Sequence, residues 1–406
     1  MEEQLFSVAL GIAPPMYINE IELDTKEGTL NIQLDFYKGS KFPCSECGAE
    51  GLPIHDTEMK TWRHLNFFQY KCYIKLPTPR TRCKDCGVRL WIPPWGRTRS
   101  GFTLLFEAFV LTLAKEMPIS KIGELVGEHD TRLWRLLGYH VRKAHGEKDF
   151  SNVTQLGIDE TSSRKGHNYV TVFTDMKSGE VLFATEGKGA DTIAKFAEEM
   201  PKHESTVDQI SEVAMDMSPA FISGVATYLP AASVTFDKFH VVQALNKAQD
   251  EVRRTEQKIN PLLKGTRYVW LKNEYNLTPQ QRKQLKSLSK ENSKTARAYK
   301  MKVTFQDIYR HISDPEAADV AIKKWLSWAT RSRLEPFKDF AKMVQRHYTG
   351  IIRYFTSRLT SGKMEGINSR IQEVKRRGRG FRNIYNFITM IYLETAGLDL
   401  SATHLK

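Results

Sequence analysis

Apolar and polar positions follow two different periods along this chain, and the change between them divides it. Leu30, Ile32 and Leu34 stand between polar neighbours, and Tyr70, Cys72 and Ile74 repeat that period of two. Alternation of this kind puts every second side chain on one face, so residues 1–100 predict a small β-rich module, closed by Pro93-Pro94 and Gly96. From residue 101 the period lengthens. Leu104, Leu105, Ala108, Leu111, Thr112 and Lys115 fall on helical spacing, Pro118 breaks the run, and residues 119–126 form a second helix stopped by Gly127. A third follows Glu128-His129-Asp130-Thr131 and carries Trp134, Leu137 and Val141. Three helices with a glycine turn before the last make a helix-turn-helix of residues 101–150.

Short apolar runs return between residues 151 and 240. The segments 153–159, 168–176, 180–186, 213–217 and 233–239 predict strands, with helices at 191–199 and 219–228. Three meandering strands followed by α/β units is the order of the ribonuclease-H-like fold. Residues 241–355 are helical almost throughout. Val241, Val242, Leu245, Ala248 and Val252 form one apolar stripe, and Trp325 and Trp328, three apart, predict core positions. Segments 364–376 and 383–398 predict two last helices around a basic turn at 377–380. The expected fold class is therefore multidomain α/β: a zinc-type β-module, a helix-turn-helix and a ribonuclease-H-like domain.

Charge sharpens this picture. Of 406 residues 41% are hydrophobic and 26% charged, an ordinary globular balance, yet the net charge is +13. Residues 60–99 hold ten Lys and Arg against the single acid Asp85, and residues 361–385 hold seven against Glu365 and Glu373. Those two stretches account for the whole excess. Clustered positive charge points to a polyanion, most simply nucleic acid. Candidate DNA contacts are Arg63, Arg80, Arg82, Arg97 and Arg99 in the first stretch. Arg132 and Arg135, with Arg142 and Lys143, mark the third helix as the groove reader. Lys375, Arg376, Arg377, Arg379 and Arg382 follow the Glu365 segment, where they are expected to grip phosphates near a scissile bond. No apolar run is long enough for a membrane span. Met1-Glu2-Glu3-Gln4 is acidic where a signal peptide is basic, so a cytoplasmic protein is expected.

Two sets of residues carry candidate chemistry. Cys44-Ser45-Glu46-Cys47-Gly48 and Cys83-Lys84-Asp85-Cys86-Gly87 are paired C-x-x-C knuckles, each with a glycine for the tight turn. Four thiolates suit one closed tetrahedral structural Zn²⁺. Cys72 is left over as a buried thiol, and His55 and His64 read as ordinary surface or core histidines. The second set is acidic. Asp159 ends the first predicted strand of the 151–240 segment and Asp216 ends the fourth, each interrupting an apolar run where a carboxylate is costly unless paired or metal-bound. Neighbouring strands would project both from one edge, and Glu365 lies on a helix able to cover it. Three such carboxylates hold two Mg²⁺ (or Mn²⁺) for in-line attack on phosphorus. Asp237 and His240, in Asp-x-x-His, are secondary candidates near the metals, and Glu160 is expected on the opposite face. Ser218 is expected to cap the helix entered through Pro219.

These residues resemble a known family. Trp62-Arg63-His64-Leu65-Asn66-Phe67-Phe68-Gln69-Tyr70, the C-x-x-C pairs, Gly157-Ile158-Asp159-Glu160, Met215-Asp216-Met217-Ser218, Phe236-Asp237-Lys238-Phe239-His240, Lys264-Gly265-Thr266-Arg267-Tyr268 and Glu365-Gly366-Ile367-Asn368 look like the bacterial DDE transposases of the ISL-three insertion-sequence family. The resemblance implies a zinc domain at 1–100, a helix-turn-helix at 101–150 and a catalytic core at 151–240 resumed at 356–406. It implies an all-helical insertion at 241–355. It also implies a catalytic triad of Asp159, Asp216 and Glu365, spaced 57 and 149 residues apart. The implied partners are double-stranded DNA, as the element's terminal inverted repeats and as target, and a second copy or more in a synaptic assembly. Two rivals remain: a catalytically retired zinc-dependent DNA-binding regulator, and a ribonuclease-H-like nuclease.

Overall fold

The computed structural model describes residues 2–164, 168–290, 293–359 and 362–400, with side chains from Gln4 onward. It divides into two units, residues 1–145 with 376–394 and 398–406, and residues 146–375 with 395–397. Residues 401–406 of the expected last domain lie outside the described residues.

The first unit opens with α1 (Glu2–Ala9), a helix in a stretch whose sequence pattern predicts only strands. Then come β1 (Met16–Asp24), β2 (Thr29–Phe36), β3 (Ile54–Arg63), β4 (Lys71–Cys83) and β5 (Gly87–Leu90). They form one sheet in the order β1-β2-β4-β3, with β5 paired to β4. The alternating residues explain the core: Leu30 pairs with Cys72 and Ile32 with Ile74 across parallel β2 and β4, so their side chains share one face. That face packs on Phe42, Trp62, Trp91 and Trp95. Three helices follow, α2 (Leu104–Ala114), α3 (Ile119–Val126) and α4 (Asp130–Gly146). Thr103 caps α2 through a hydrogen bond from the Phe106 amide. Gly127 ends α3 with φ +69°, a left-handed turn that a side chain at this position would resist.

The second unit holds β6 (Gln155–Arg164), β7 (Asn168–Asp175), β8 (Val181–Glu186), α5 (Ala190–Glu199), β9 (Glu212–Met215), α6 (Pro219–Tyr228) and β10 (Ser233–Phe236). Helices α7 (Lys238–Glu256), α8 (Arg267–Leu271), α9 (Pro279–Ser289), α10 (Lys294–His311), α11 (Pro315–Thr330), α12 (Glu335–Arg346) and α13 (Tyr348–Ser357) come next. The chain ends with α14 (Gly362–Arg377) and α15 (Ile384–Thr395). The sheet order is β10-β9-β6-β7-β8. β6, β7 and β8 are antiparallel, while β9 runs parallel to β6 and β10 parallel to β9.

One hydrophobic core runs from Phe150 through the sheet residues Ile158, Met215 and Phe236 to Phe305, Phe337 and Phe355. The sheet and the helices of 241–355 share this core. Trp325 is buried in that core, its indole N–H donating to the Met301 carbonyl at 2.9 Å, whereas Trp328 stays exposed. Lys302 is wholly buried and donates to the Trp270 and Leu271 carbonyls that end α8. Burial lowers its ammonium pKa to about 8. The expected last domain is also split, because Arg376–Glu394 groups with the first unit. No described helix is long and apolar enough to cross a membrane.

Candidate metal centres and nucleic-acid interface

The two cysteine knuckles meet. The first is a loop in which the Gly48 amide donates to the Cys44 carbonyl, and the second is the turn of the β4–β5 hairpin, where Cys83 pairs with Gly87. Cys44, Cys47, Cys83 and Cys86 offer four sulfurs within 4.8 Å of one another. The Cys47 and Cys83 sulfurs lie 3.6 Å apart. Tetrahedral Zn–S bonds of about 2.3 Å separate sulfurs by roughly 3.8 Å, so the spacing fits a structural zinc and is far too long for a disulfide. Backbone N–H groups of Cys47 and Glu46 lower the Cys44 thiol to about 7, favouring the thiolate a metal requires. Cys72 stands apart in β4, its thiol pushed up to about 11 by burial. His64 is no ligand either. It pairs with the Thr103 hydroxyl at 2.9 Å, and burial followed by the Arg63 charge lowers it to about 4.

The basic residues divide into free and engaged ones. Arg63, expected on DNA, is instead interior, with 1% of its side chain exposed. Its guanidinium donates to the carbonyls of His64, Cys72 and Val126 and to Asn66, and faces Glu128 at 3.6 Å. It thus ties the end of β3 to the α3–α4 turn. Arg80 forms a forked pair with Asp56. Arg97 pairs at 2.8 Å with Glu107 and lies over the Tyr139 ring. Burial pushes the Glu107 carboxyl up, but His140, Arg97 and Ser100 outweigh it and hold it below the ordinary value. Arg132, in the first turn of α4, pairs with Glu128 of the α3–α4 turn and covers Phe102. Arg82, Arg99 and Arg135 are exposed. In the second unit Lys375 reaches the Ser162 hydroxyl at 3.3 Å.

The carboxylates form a row. Gly157 pairs with Ala214 across β6 and β9, and Phe236 with Met215 across β10 and β9. Extending those registers sets Asp159 beside Asp216 and Asp216 beside Asp237. Asp159 is not at a strand end as expected: β6 runs on to Arg164 because its other edge stays paired with β7, where Asp159 faces Val172. Only the pairing toward β9 stops at Gly157. Asp216 accepts from the Ser218 amide at 2.9 Å, and the side-chain cap expected of Ser218 is absent. Asp237 caps α7 through the Phe239 amide and lies 3.5 Å from His240.

Helix α14 presents a stripe to β6. Asn368 donates to Asp159 at 2.6 Å, Gln372 to Thr161 at 3.2 Å, and Lys375 continues the row. Gly157 allows this approach, since a Cβ there would lie 2.6 Å from the sulfurs of Met176 and Met364. Glu365 stands one turn before Asn368, exposed to solvent. Among the described residues, Asp159, Asp216 and Glu365 are not drawn within 4.8 Å as a set. The electrostatics still mark the place. Burial pushes the Asp159 carboxyl up, opposed by Asn368, the Glu160 amide and His240 and reinforced by Asp237. Glu160, expected on the opposite face, is raised by burial and then by Asp216, so it belongs to the same field. Asp237 raises His240, with help from Asp159 and Asp216, against the effect of burial. Of these acids Asp237 is buried, Asp159, Glu160 and Asp216 are half-buried, and Glu365 is exposed. Asn368, the last residue of the Glu365-Gly366-Ile367-Asn368 motif, is a neutral amide on a helix and carries no charge signal of its own.

Three family models match the chain. The one described as "Transposase" covers residues 156–391, that of a "Helix-turn-helix domain of transposase family ISL3" covers 92–141, and that of a "zinc-finger of transposase IS204/IS1001/IS1096/IS1165" covers 40–86. The chain is 26% identical over 432 residues to a transposase for insertion sequence element IS1557 of Mycobacterium tuberculosis, covering 97% of this chain and 96% of that one. It is 28% identical over 360 residues to a transposase for insertion sequence element IS1001 of Bordetella parapertussis, covering 86% and 87%.

Proposed function

Because the chain belongs to the ISL3 family of transposases, we propose that it binds the terminal inverted repeats of its own insertion sequence and cuts and joins DNA strands at the carboxylate row. The observation that carries the chemistry is the register of three adjacent strands, whose continuation past Gly157, Met215 and Phe236 would bring Asp159, Asp216 and Asp237 side by side, with Asn368 donating to Asp159. Numbered within the second unit, the strand order is 3-2-1-4-5, with the first three antiparallel and the last two parallel to the first. That order supports a ribonuclease-H-like core, with the helices after β10 as an insertion ahead of the Glu365 helix.

In this reading Asp159, Asp216 and Glu365 hold the divalent ions, Mg²⁺ or Mn²⁺. Bound there, the ions supply charge neutralisation at phosphorus and an activated attacking oxygen. The chain's own groups prepare the site. Asn368 donates to one oxygen of Asp159 and the Glu160 amide to the other, so both are oriented and each keeps a lone pair for a ligand. Asp237 caps α7 and lies 3.5 Å from His240, whose pKa it raises. Glu365, exposed one turn before Asn368, would supply the third carboxylate. Bringing two element ends together requires at least two copies of the chain.

The test is nick mapping on the element's own end duplex with Mg²⁺, with gel shifts on the same duplex. Asp159→Asn, Asp216→Asn and Glu365→Gln should each lose cleavage by several orders of magnitude and keep end binding. Asp237→Asn should lose less. Cleavage by Asp216→Asn but not by Asp237→Asn would make Asp237 the second ligand. End binding without nicking by the wild type would leave a retired regulator, and nicking confined to RNA–DNA hybrids a nuclease.

A further inference from the structure

The basic turn after α14 is built into the DNA-reading unit. Residues 376–394 group with the zinc module and the three helices rather than with the carboxylate sheet. Two anchors hold the turn. Arg377 donates to the Lys115 carbonyl at the end of α2 and pairs with Glu394 of α15. The Phe381 ring stands edge-on to Trp134 of α4, with centroids 6.2 Å apart, and packs on buried Phe387 at 5.2 Å. Between the anchors, Arg379 and Gly380 take φ of +52° and +88°, and the Arg379 amide donates to the Arg376 carbonyl. The chain reverses there and leaves Arg376, Arg379 and Arg382 exposed.

Trp134 is in the first third of α4, next to exposed Arg135. In a helix-turn-helix the beginning of the last helix meets the base edges. A turn docked on Trp134 therefore borders the duplex that α4 reads. No acid lies between Arg376 and Tyr385 to oppose its charge. Arg377, counted with its neighbours in the sequence reading, is the fixing post and not a DNA contact.

We infer that Arg376, Arg379 and Arg382 form a second arm of the end-recognition surface, gripping the backbone of duplex DNA immediately beside the groove occupied by α4. This rests on the helix-turn-helix reading above. It replaces the expectation that the same arginines clamp phosphates at the scissile bond.

The experiment uses the full zinc-loaded chain and a duplex carrying the element's end. Affinity is measured against salt, hydroxyl-radical footprints are taken, and nicking is followed with the duplex saturated. With about 0.9 counterions released per phosphate contact, the triple change Arg376→Gln/Arg379→Gln/Arg382→Gln should lower the salt slope by about 2 to 3 and shorten the footprint at one edge. Phe381→Ala keeps every charge but frees the turn from Trp134, and should fray the same edge. Arg135→Ala should weaken binding at the centre of the footprint. An unchanged slope and footprint in the triple variant, with Arg135→Ala still weakened, overturns the arm and spares the helix-turn-helix reading. If Arg135→Ala also binds as wild type, the groove-reading role of α4 falls as well. If the triple variant binds with the full slope but nicks poorly, the arginines act at the cut and the inference is wrong.

Discussion

Replacing Arg63 by alanine separates two accounts of this residue. By charge it is one more phosphate contact in a basic stretch, and its loss would reduce the salt slope of DNA binding by about 0.9. By its surroundings it is a buried strut. The guanidinium donates to the His64, Cys72 and Val126 carbonyls and to Asn66, faces Glu128, and lies over the Tyr73 and Phe106 rings. Alanine removes every donor at once. Glu128 keeps Arg132, so the charge is not wholly stranded. The carbonyls lose partners at about 1 kcal/mol each, and the cation–π contacts and the vacated volume add to that. A loss of about 3–5 kcal/mol follows. For a unit of this size that lowers the unfolding midpoint by roughly 6–20 °C. Zinc release into a chromogenic chelator during a thermal ramp reports this unit specifically. Arg63→Lys should rescue little, because an ammonium cannot span acceptors arranged for a fork. Binding measured well below the midpoint should keep its full salt slope. A release midpoint equal to wild type, together with a slope lowered by about 0.9, would refute the buried-strut account and return Arg63 to the DNA.

Three further outcomes are expected. Purified protein should hold about one zinc per chain by metal analysis, and Cys83→Ser/Cys86→Ser should lose it; zinc retained in that variant would place the ion elsewhere. His64 titrates lower in the folded state, at about 4 against an ordinary value near 6.5, so only the unfolded chain takes up its proton between those values. The first unit should therefore lose stability as pH falls from about 6.5 to about 4, and His64→Asn should lose less over that window; parallel urea midpoints would contradict a buried neutral His64. Asp159 is raised, so its contribution to stability is full below the ordinary aspartate value and is lost as pH rises through the raised one. Asp159→Asn should accordingly lose less stability than wild type as pH rises from the aspartate range to neutrality, and Mg²⁺ should raise the melting temperature of wild type but not of the variant. A destabilised variant that still responds to Mg²⁺ would exclude Asp159 as a ligand.

What the sequence determined by itself is what depends on neighbours along the chain. Paired C-x-x-C knuckles with following glycines specify tight turns, and the four sulfurs meet. Gly127 ends a helix because only a left-handed residue turns the chain there, and α3 stops at Val126. Asp159 and Asp216 each follow an apolar run of neighbouring strands, and β6 pairs in parallel with β9 up to Gly157 and Ala214, two residues before each acid. Tertiary structure decided the rest, since it turns on which groups meet across long separations. Composition counts Arg63, Arg377 and Arg379 as equal charges, but folding buries the first, pins the second to Lys115 and Glu394, and exposes the third. Glu160 stays in the regular β6–β7 pairing opposite Thr171, and burial and then Asp216 raise its carboxyl. Asn368 meets Asp159 across 209 positions, and the turn after α14 returns to Trp134 across more than two hundred. Pairings of that range arise only from packing, because no local propensity records which distant surface a side chain will find.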